Sequence, residues 1–192
     1  MEQAIIERAK NYIRMLFRDH ADGHDVEHTM RVYRNALNIA GHYPDCDTAL
    51  VSLAALLHDV DDTKLFRTKD NANAREFLRA QNVEEKRIDS ICAVINAVSF
   101  SKNKGTSPDT IEGKIVQDAD RLDAMGAIGI ARTFAYGGKT GRSLDSSIEH
   151  FHDKLLKLKD LMNTPEAREM AEERHAFLEQ FLEEYKNEAN GV

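Results

Sequence analysis

The apolar positions of this chain recur at helical spacing almost from end to end. Over residues 2 to about 18, Ile5, Ala9, Tyr12, Ile13, Leu16 and Phe17 fall three and four apart with Glu, Arg and Lys between them, which predicts a surface helix with one buried face. Asp19 to Gly23 break the pattern as turn formers. A second helix is expected over about 25–42 with two apolar stripes, His28, Val32, Ala36 and Ile39 on one and Met30, Tyr33, Leu37 and Ala40 on the other, so most of its surface is covered. The run from Ala49 to Leu57 keeps no face for solvent and predicts a helix buried in a core. Further helices are expected at about 71–80, at about 84–98 on Ile88, Ile91, Cys92, Ile95 and Val98, at about 110–134, and along Ile148, Phe151, Leu155, Leu158 and Met162. A last helix opens with Thr164 as N-cap and Pro165 as first helical residue, its face being Met170, Phe177, Phe181 and Tyr185. Ser99–Asp109 and Gly137–Arg142 read as loops, and a disordered tail is expected after about Asn187. No strand alternation and no repeat are visible, so the expected fold is all-α.

Six polar residues contradict the pattern. The buried run ends in His58, Asp59, Asp61 and Asp62, groups that cost several kcal/mol to bury unpaired, roughly 2 to 7 for a neutral polar group and more for an ion. Either this helix end reaches solvent and the acids are hydrated, or a cation sits against His58 and Asp59. His28 heads an apolar stripe and so points inward, as a hydrogen-bonded core residue or as a ligand. Asp120 shares a stripe with Val116, Ala124 and Ala127, which aims a carboxylate at a small-residue surface. Its partner is Arg121 or another base, or the same cation. Gly126 and Gly129 lower helix propensity and suggest close approach by another helix or a ligand. Taken together, His28, His58, Asp59 and Asp120 supply two imidazoles and two carboxylates, a set suited to Mn, Fe, Zn, Ni or Mg with positions left for water or substrate.

Composition narrows the class. With 192 residues the chain has the length of one domain, and 31% charged, 42% apolar and 7% aromatic residues without Trp suit a soluble helical protein. A net charge of -7 argues against a broad nucleic-acid surface while leaving room for a local cationic pocket. Cys46 and Cys92 have no paired spacing and read as reduced core thiols. Acids stand where a signal peptide would carry bases, and no apolar run approaches membrane-spanning length, so a cytoplasmic protein without membrane contact is expected.

His28, the pair His58-Asp59 and Asp120 match in order the H…HD…D signature of the HD-domain superfamily of metal-dependent phosphohydrolases. The blocks Gly23–Val32, Leu56–Asp62, Gln117–Ala124 and Ile148 to His175 extend the likeness over nearly the whole chain, which resembles the small bacterial HD hydrolases of the YpgQ and YedJ type. The resemblance implies a single HD domain over 1–192, with a metal-site core at about 20–135 and C-terminal helices at about 145–187. It further implies one central divalent metal, manganese first with magnesium, iron, nickel, zinc or cobalt as alternatives, held by His28, His58, Asp59 and Asp120. Asp118 and Asp123 are alternatives to Asp120. Asp62, one turn beyond His58 if the helix continues, corresponds to an acid that orients water or moves a proton. His24, Lys64, Arg67 and Arg121 are candidates for the substrate phosphates, and His24 and Asp25 for holding the ligand histidines. The implied partner is a small phosphorylated molecule, a nucleotide first, and a homodimer is allowed for. The implied activity is hydrolysis of a nucleoside triphosphate with release of pyrophosphate. A nucleoside monophosphatase and a cyclic phosphodiesterase need the same groups. A different class is an HD module that binds a nucleotide or alarmone without turnover. An HD-type oxygenase would need a second histidine set, which His20, His24 and His42 do not evidently form.

Overall fold

The computed structural model describes residues 2–18, 25–63, 65–98 and 106–191, and these contain helices and no strands. In chain order they are α1 (Glu2–Leu16), α2 (Val26–Ala40), α3 (Thr48–Leu57), α4 (Ala72–Ala80), α5 (Glu85–Val98), α6 (Ile111–Asp123), α7 (Gly126–Thr140), α8 (Leu144–Asp153), the 3-10 turns Leu155–Lys157 and Lys159–Leu161, and α9 (Pro165–Ala189). By its contacts the chain divides into two compact units, 1–120 and 121–192, the boundary falling inside α6. No helix among the described residues is long and apolar enough to cross a membrane.

The first unit is built around α3. Every residue from Leu50 to Leu57 is buried, because α1, α2 and α5 all pack on this helix. Each fully buried Leu or Val there contributes roughly 1.5 to 3 kcal/mol relative to exposure. Its start is fixed by Asp47, whose carboxylate caps the helix by accepting from the Leu50 N–H at 2.9 Å and also accepts from Arg87 Nη2 of α5 at 2.8 Å. That Arg87 pairing holds the Asp47 carboxyl below the usual carboxylate range. Helix α2 begins in the same way, with Asp25 accepting from the His28 N–H at 2.7 Å. Its buried face carries His28, Val32, Ala36 and Ile39, as the periodicity predicts.

In the second unit, α7 packs on α8 and α9, and Phe134, Phe151 and Phe181 form a cluster with ring centroids 5.7 to 6.0 Å apart. Thr164 caps α9 through the Ala167 N–H, and Pro165 takes the first helical position, as expected.

Several expectations are corrected. The helix anticipated over 110–134 is two helices, because Gly126 takes φ +65°, a conformation that an L side chain adopts only with strain. Ala127 consequently leaves the Asp120 stripe and is exposed. The close approach of another helix inferred at the two glycines is found at Gly126, whereas the neighbour at Gly129 is the chain segment just before α7. A Cβ at Gly126 would lie 3.1 Å from Arg174 Cγ of α9, and one at Gly129 would lie 2.3 Å from the Ala124 carbonyl. Gly137 to Thr140 continue α7 instead of forming a loop. The helix read through Met162 stops at Asp153 and gives way to the 3-10 turns, α9 runs on to Ala189, and Phe177 stands exposed. Cys92 is buried, whereas Cys46 is only partly so.

Candidate metal centre

Three helices bring the polar exceptions together within the first unit. His28 sits in the first turn of α2, His58 caps the end of α3, Asp59 follows it in the turn, and Asp120 lies near the end of α6. Asp59 Oδ2 lies 3.3 Å from Nε2 of both His28 and His58, and those two nitrogens are 3.3 Å apart. Asp120 Oδ1 closes the cluster at 3.5 Å from His28 Nε2 and 3.8 Å from His58 Nε2. One ligand atom each of His28, His58 and Asp120 lies within 4.8 Å of the others, a span over which a single ion can reach all three. The histidine side chains are 2% and 3% exposed and that of Asp59 is 11% exposed, whereas Asp120 at 29% gives the cluster a side toward solvent.

Hydrogen bonding prepares these donors for a cation. His58 Nδ1 lies 2.9 Å from the Ala55 carbonyl, which can only accept, so Nδ1 carries the proton and the Nε2 lone pair of the neutral ring faces the carboxylates. Burial opposes a charge on His58 most strongly. The Asp59 carboxylate, by charge and hydrogen bond, then Asp120 and the Ala55 carbonyl, outweigh it and push the imidazole up to about 9. Two carboxylates around two buried imidazoles thus demand positive charge, which a proton meets in part. A divalent ion suits two nitrogens and two carboxylates better.

Asp120, and neither Asp118 nor Asp123, joins the two histidines among the described residues. Asp123 is buried and pairs with Arg132 at 2.6 Å in the second unit, and Asp118 is fully buried, while Asp120 lies within reach of both imidazoles. Asp62 is half-buried and off the helix, because α3 ends at Leu57 and residues 58–61 form turns, so the one-turn stacking on His58 does not hold. Its N–H donates to the Asp59 carbonyl at 3.0 Å. Arg67 is exposed. Arg121, expected at substrate phosphates, is buried and donates to the Leu161 carbonyl within the second unit. Asp25 turns its carboxylate to the backbone of α2 and so fixes the turn that carries His28. His24, Lys64, the turn at 19–23 and most of the 99–109 loop lie outside the described residues.

Sequence reasoning assigned no role to Asp61, which is buried and accepts from the Asn73 and Ala74 N–H groups at 3.0 Å each. Nor did it find Asn35, whose Nδ2 donates to the Ala119 carbonyl at 3.3 Å and so ties the His28 helix to the Asp120 helix. Asn35 lies seven residues beyond His28, two helical turns on the same face, and that spacing was the available signal.

A model of the HD domain matches residues 25–125, a stretch containing all four clustered residues. The chain belongs to the HD-domain family. It is 40% identical to YpgQ of Bacillus subtilis over 97% of this chain and 94% of that protein. An HD-superfamily hydrolase from Bacillus thuringiensis has a similar structure, with a TM-score of 0.82, 40% identity and full coverage of both chains. The structure of Bacillus subtilis YpgQ in complex with ADP matches with a TM-score of 0.82 and 36% identity over 95% of this chain and 97% of that one. The all-α fold and the relatives are thus those of HD-superfamily hydrolases, and His28, His58 and Asp120 form a group that could hold a metal ion.

Proposed function

We propose that this protein is a metal-dependent phosphohydrolase that cleaves a nucleoside triphosphate and releases pyrophosphate. The observation that carries the reading is the convergence of His28, His58, Asp59 and Asp120, two imidazoles and two carboxylates from α2, α6 and the turn after α3, with one side toward solvent. These four residues hold the ion, manganese in the first instance. Bound there, a divalent ion supplies Lewis-acid polarisation of a phosphoryl oxygen and acidifies water toward neutrality. The chain's own contribution is to fix the donors: Ala55 sets the His58 tautomer, Asp25 fixes the first turn of α2, and burial of the imidazoles excludes competing solvent. Asp62, half-buried in the turn that follows, is the residue assigned to orient water or take up a proton. Arg67, exposed beyond it, is assigned to the substrate phosphates. The nucleotide class is supported by the ADP complex of YpgQ.

The deciding experiment is a hydrolysis screen with Mn2+ over nucleoside mono-, di- and triphosphates, cyclic nucleotides and bis(p-nitrophenyl) phosphate, with phosphate and pyrophosphate detected separately. Pyrophosphate from triphosphates is the expected product. Phosphate from monophosphates, or turnover of cyclic nucleotides, would overturn the bond assignment. Nucleotide binding without turnover in the Mn2+-loaded protein would overturn the enzyme reading itself.

A further inference from the structure

His58 and Asp59 do not belong to the hydrogen-bonded body of α3. They sit in a turn whose own bonds are the Val60 N–H to the Leu57 carbonyl at 3.4 Å and the Asp62 N–H to the Asp59 carbonyl at 3.0 Å. Beside these, the His58 ring is tied to the Ala55 carbonyl at 2.9 Å; a turn moves more readily than a helix, so a ligand geometry carried on one gains from further support. Asp61, within the same turn, supplies support from another helix. Asp61 places Oδ1 on the Asn73 N–H and Oδ2 on the Ala74 N–H, both at 3.0 Å, while Asn73 Nδ2 returns to the Val60 carbonyl at 2.7 Å.

The two bonds to Asp61 replace an ordinary helix cap. Asn71 holds the N-cap position of α4 but lies in the left-handed region at φ 55°, and its side chain donates to Asn96 Oδ1 at 3.1 Å. The first-turn N–H groups are thereby left for a carboxylate from elsewhere in the sequence. Helix α4 is itself held by packing on α5 and by the ring of Phe77 stacked on Tyr12 at 4.8 Å. The turn is therefore anchored to a fixed body.

We infer that Asp61 and Asn73 form a clamp that sets the position of the His58–Asp59 turn, and that both are positioning residues for the cation site. This inference rests on the metal reading of that site. The clamp also sorts neighbouring acids. Asp61 is two residues from Asp59 and would compete as a ligand, but both its oxygens are engaged at the positive end of α4, leaving Asp59 to face the imidazoles.

The test is a Mn2+ titration by calorimetry on the full chain, run beside thermal unfolding, for the wild type, Asn73→Ala, Asp61→Asn and Phe77→Leu. Asn73→Ala removes only the return bond and is expected to stay folded while its Mn2+ affinity falls roughly tenfold, the lower end of what loss of a supporting partner costs a metal site. Asp61→Asn should lose at least as much, because its NH2 group must face one of the two N–H donors. Phe77→Leu loosens α4 without touching the clamp, and should lower the melting temperature with affinity unchanged within twofold. Wild-type affinity in both Asn73→Ala and Asp61→Asn would overturn the clamp while leaving the metal site standing, and so would an equal loss in Phe77→Leu. A wild-type chain that takes up no Mn2+ would overturn the site, and the clamp's role with it.

Discussion

At the scale of single residues, His58 carries the most testable chemistry. Its pKa is raised to about 9 in the folded, metal-free protein against an ordinary value near 6.5. A group raised on folding contributes stability that is fully present below its unfolded pKa and is lost as pH rises through its folded pKa. The metal-free protein should therefore lose stability between about pH 6.5 and about pH 9. Thermal unfolding in chelator across that window checks it, and a flat profile there would refute the proton's role. Since a metal ligand must be a neutral imidazole, uptake of Mn2+ at pH 7.5 should release about one proton, seen as a dependence of the binding heat on the buffer's ionisation enthalpy. His58→Ala and Asp120→Ala each delete a donor, and should lose bound metal and turnover together while keeping helical circular dichroism. Full activity at wild-type metal content in either variant would remove that residue from the site. Asp62→Ala should keep the metal and lose turnover by roughly 100-fold or more, as for loss of a general acid or base. An unchanged rate would exclude Asp62 from the reaction.

Among the helices, what was legible in the sequence depended on whether the deciding interaction was local. The stripe of α2, the all-buried α3 and the Thr164-Pro165 start of α9 follow from spacing and capping within a few residues, and the structure has all three. Four polar residues on apolar surfaces were visible by the same logic, because a buried charge needs a reason that periodicity cannot supply. The break between α6 and α7 was hidden because Ala124 to Gly129 keep helical spacing, and a single positive φ at Gly126 redirects the chain. The reading of Gly137 and Gly138 as a loop failed for the converse reason. Gly137 packs so near Ser147 that a Cβ would lie 2.7 Å from its hydroxyl, so tertiary packing overrides the low propensity. The Asp61 cap was invisible because its donors lie more than ten residues away in a different helix. Gly126→Ala tests the break, since it must place an L side chain at φ +65° and against Arg174. A loss of about 1 to 3 kcal/mol is expected in urea unfolding. No loss would mean that the break does not depend on glycine.

For the whole molecule, the proposed cation site predicts that stability depends on metal concentration. The four donors come from α2, from the turn after α3 and from α6, so the site assembles only when those segments are folded together. An ion that binds the native state and not the unfolded chain stabilises by about 2.7 kcal/mol at 100 times its dissociation constant. For a chain of this length each kcal/mol moves the melting temperature by roughly 2 to 4 °C, so saturating Mn2+ should raise it by about 5 to 10 °C over the chelated protein. His28→Ala discriminates site binding from a general effect of divalent ions on an acidic protein of net charge -7. That variant removes one imidazole and leaves the surface charge as it was, so nonspecific stabilisation would survive in it and site-linked stabilisation would not. An equal rise in wild type and His28→Ala would mean that the ion acts on the surface. A rise confined to the wild type would tie the metal to the three-helix cluster, and would let thermal shift be used to rank Mn2+ against Mg2+, Fe2+, Ni2+, Zn2+ and Co2+ before any substrate is known.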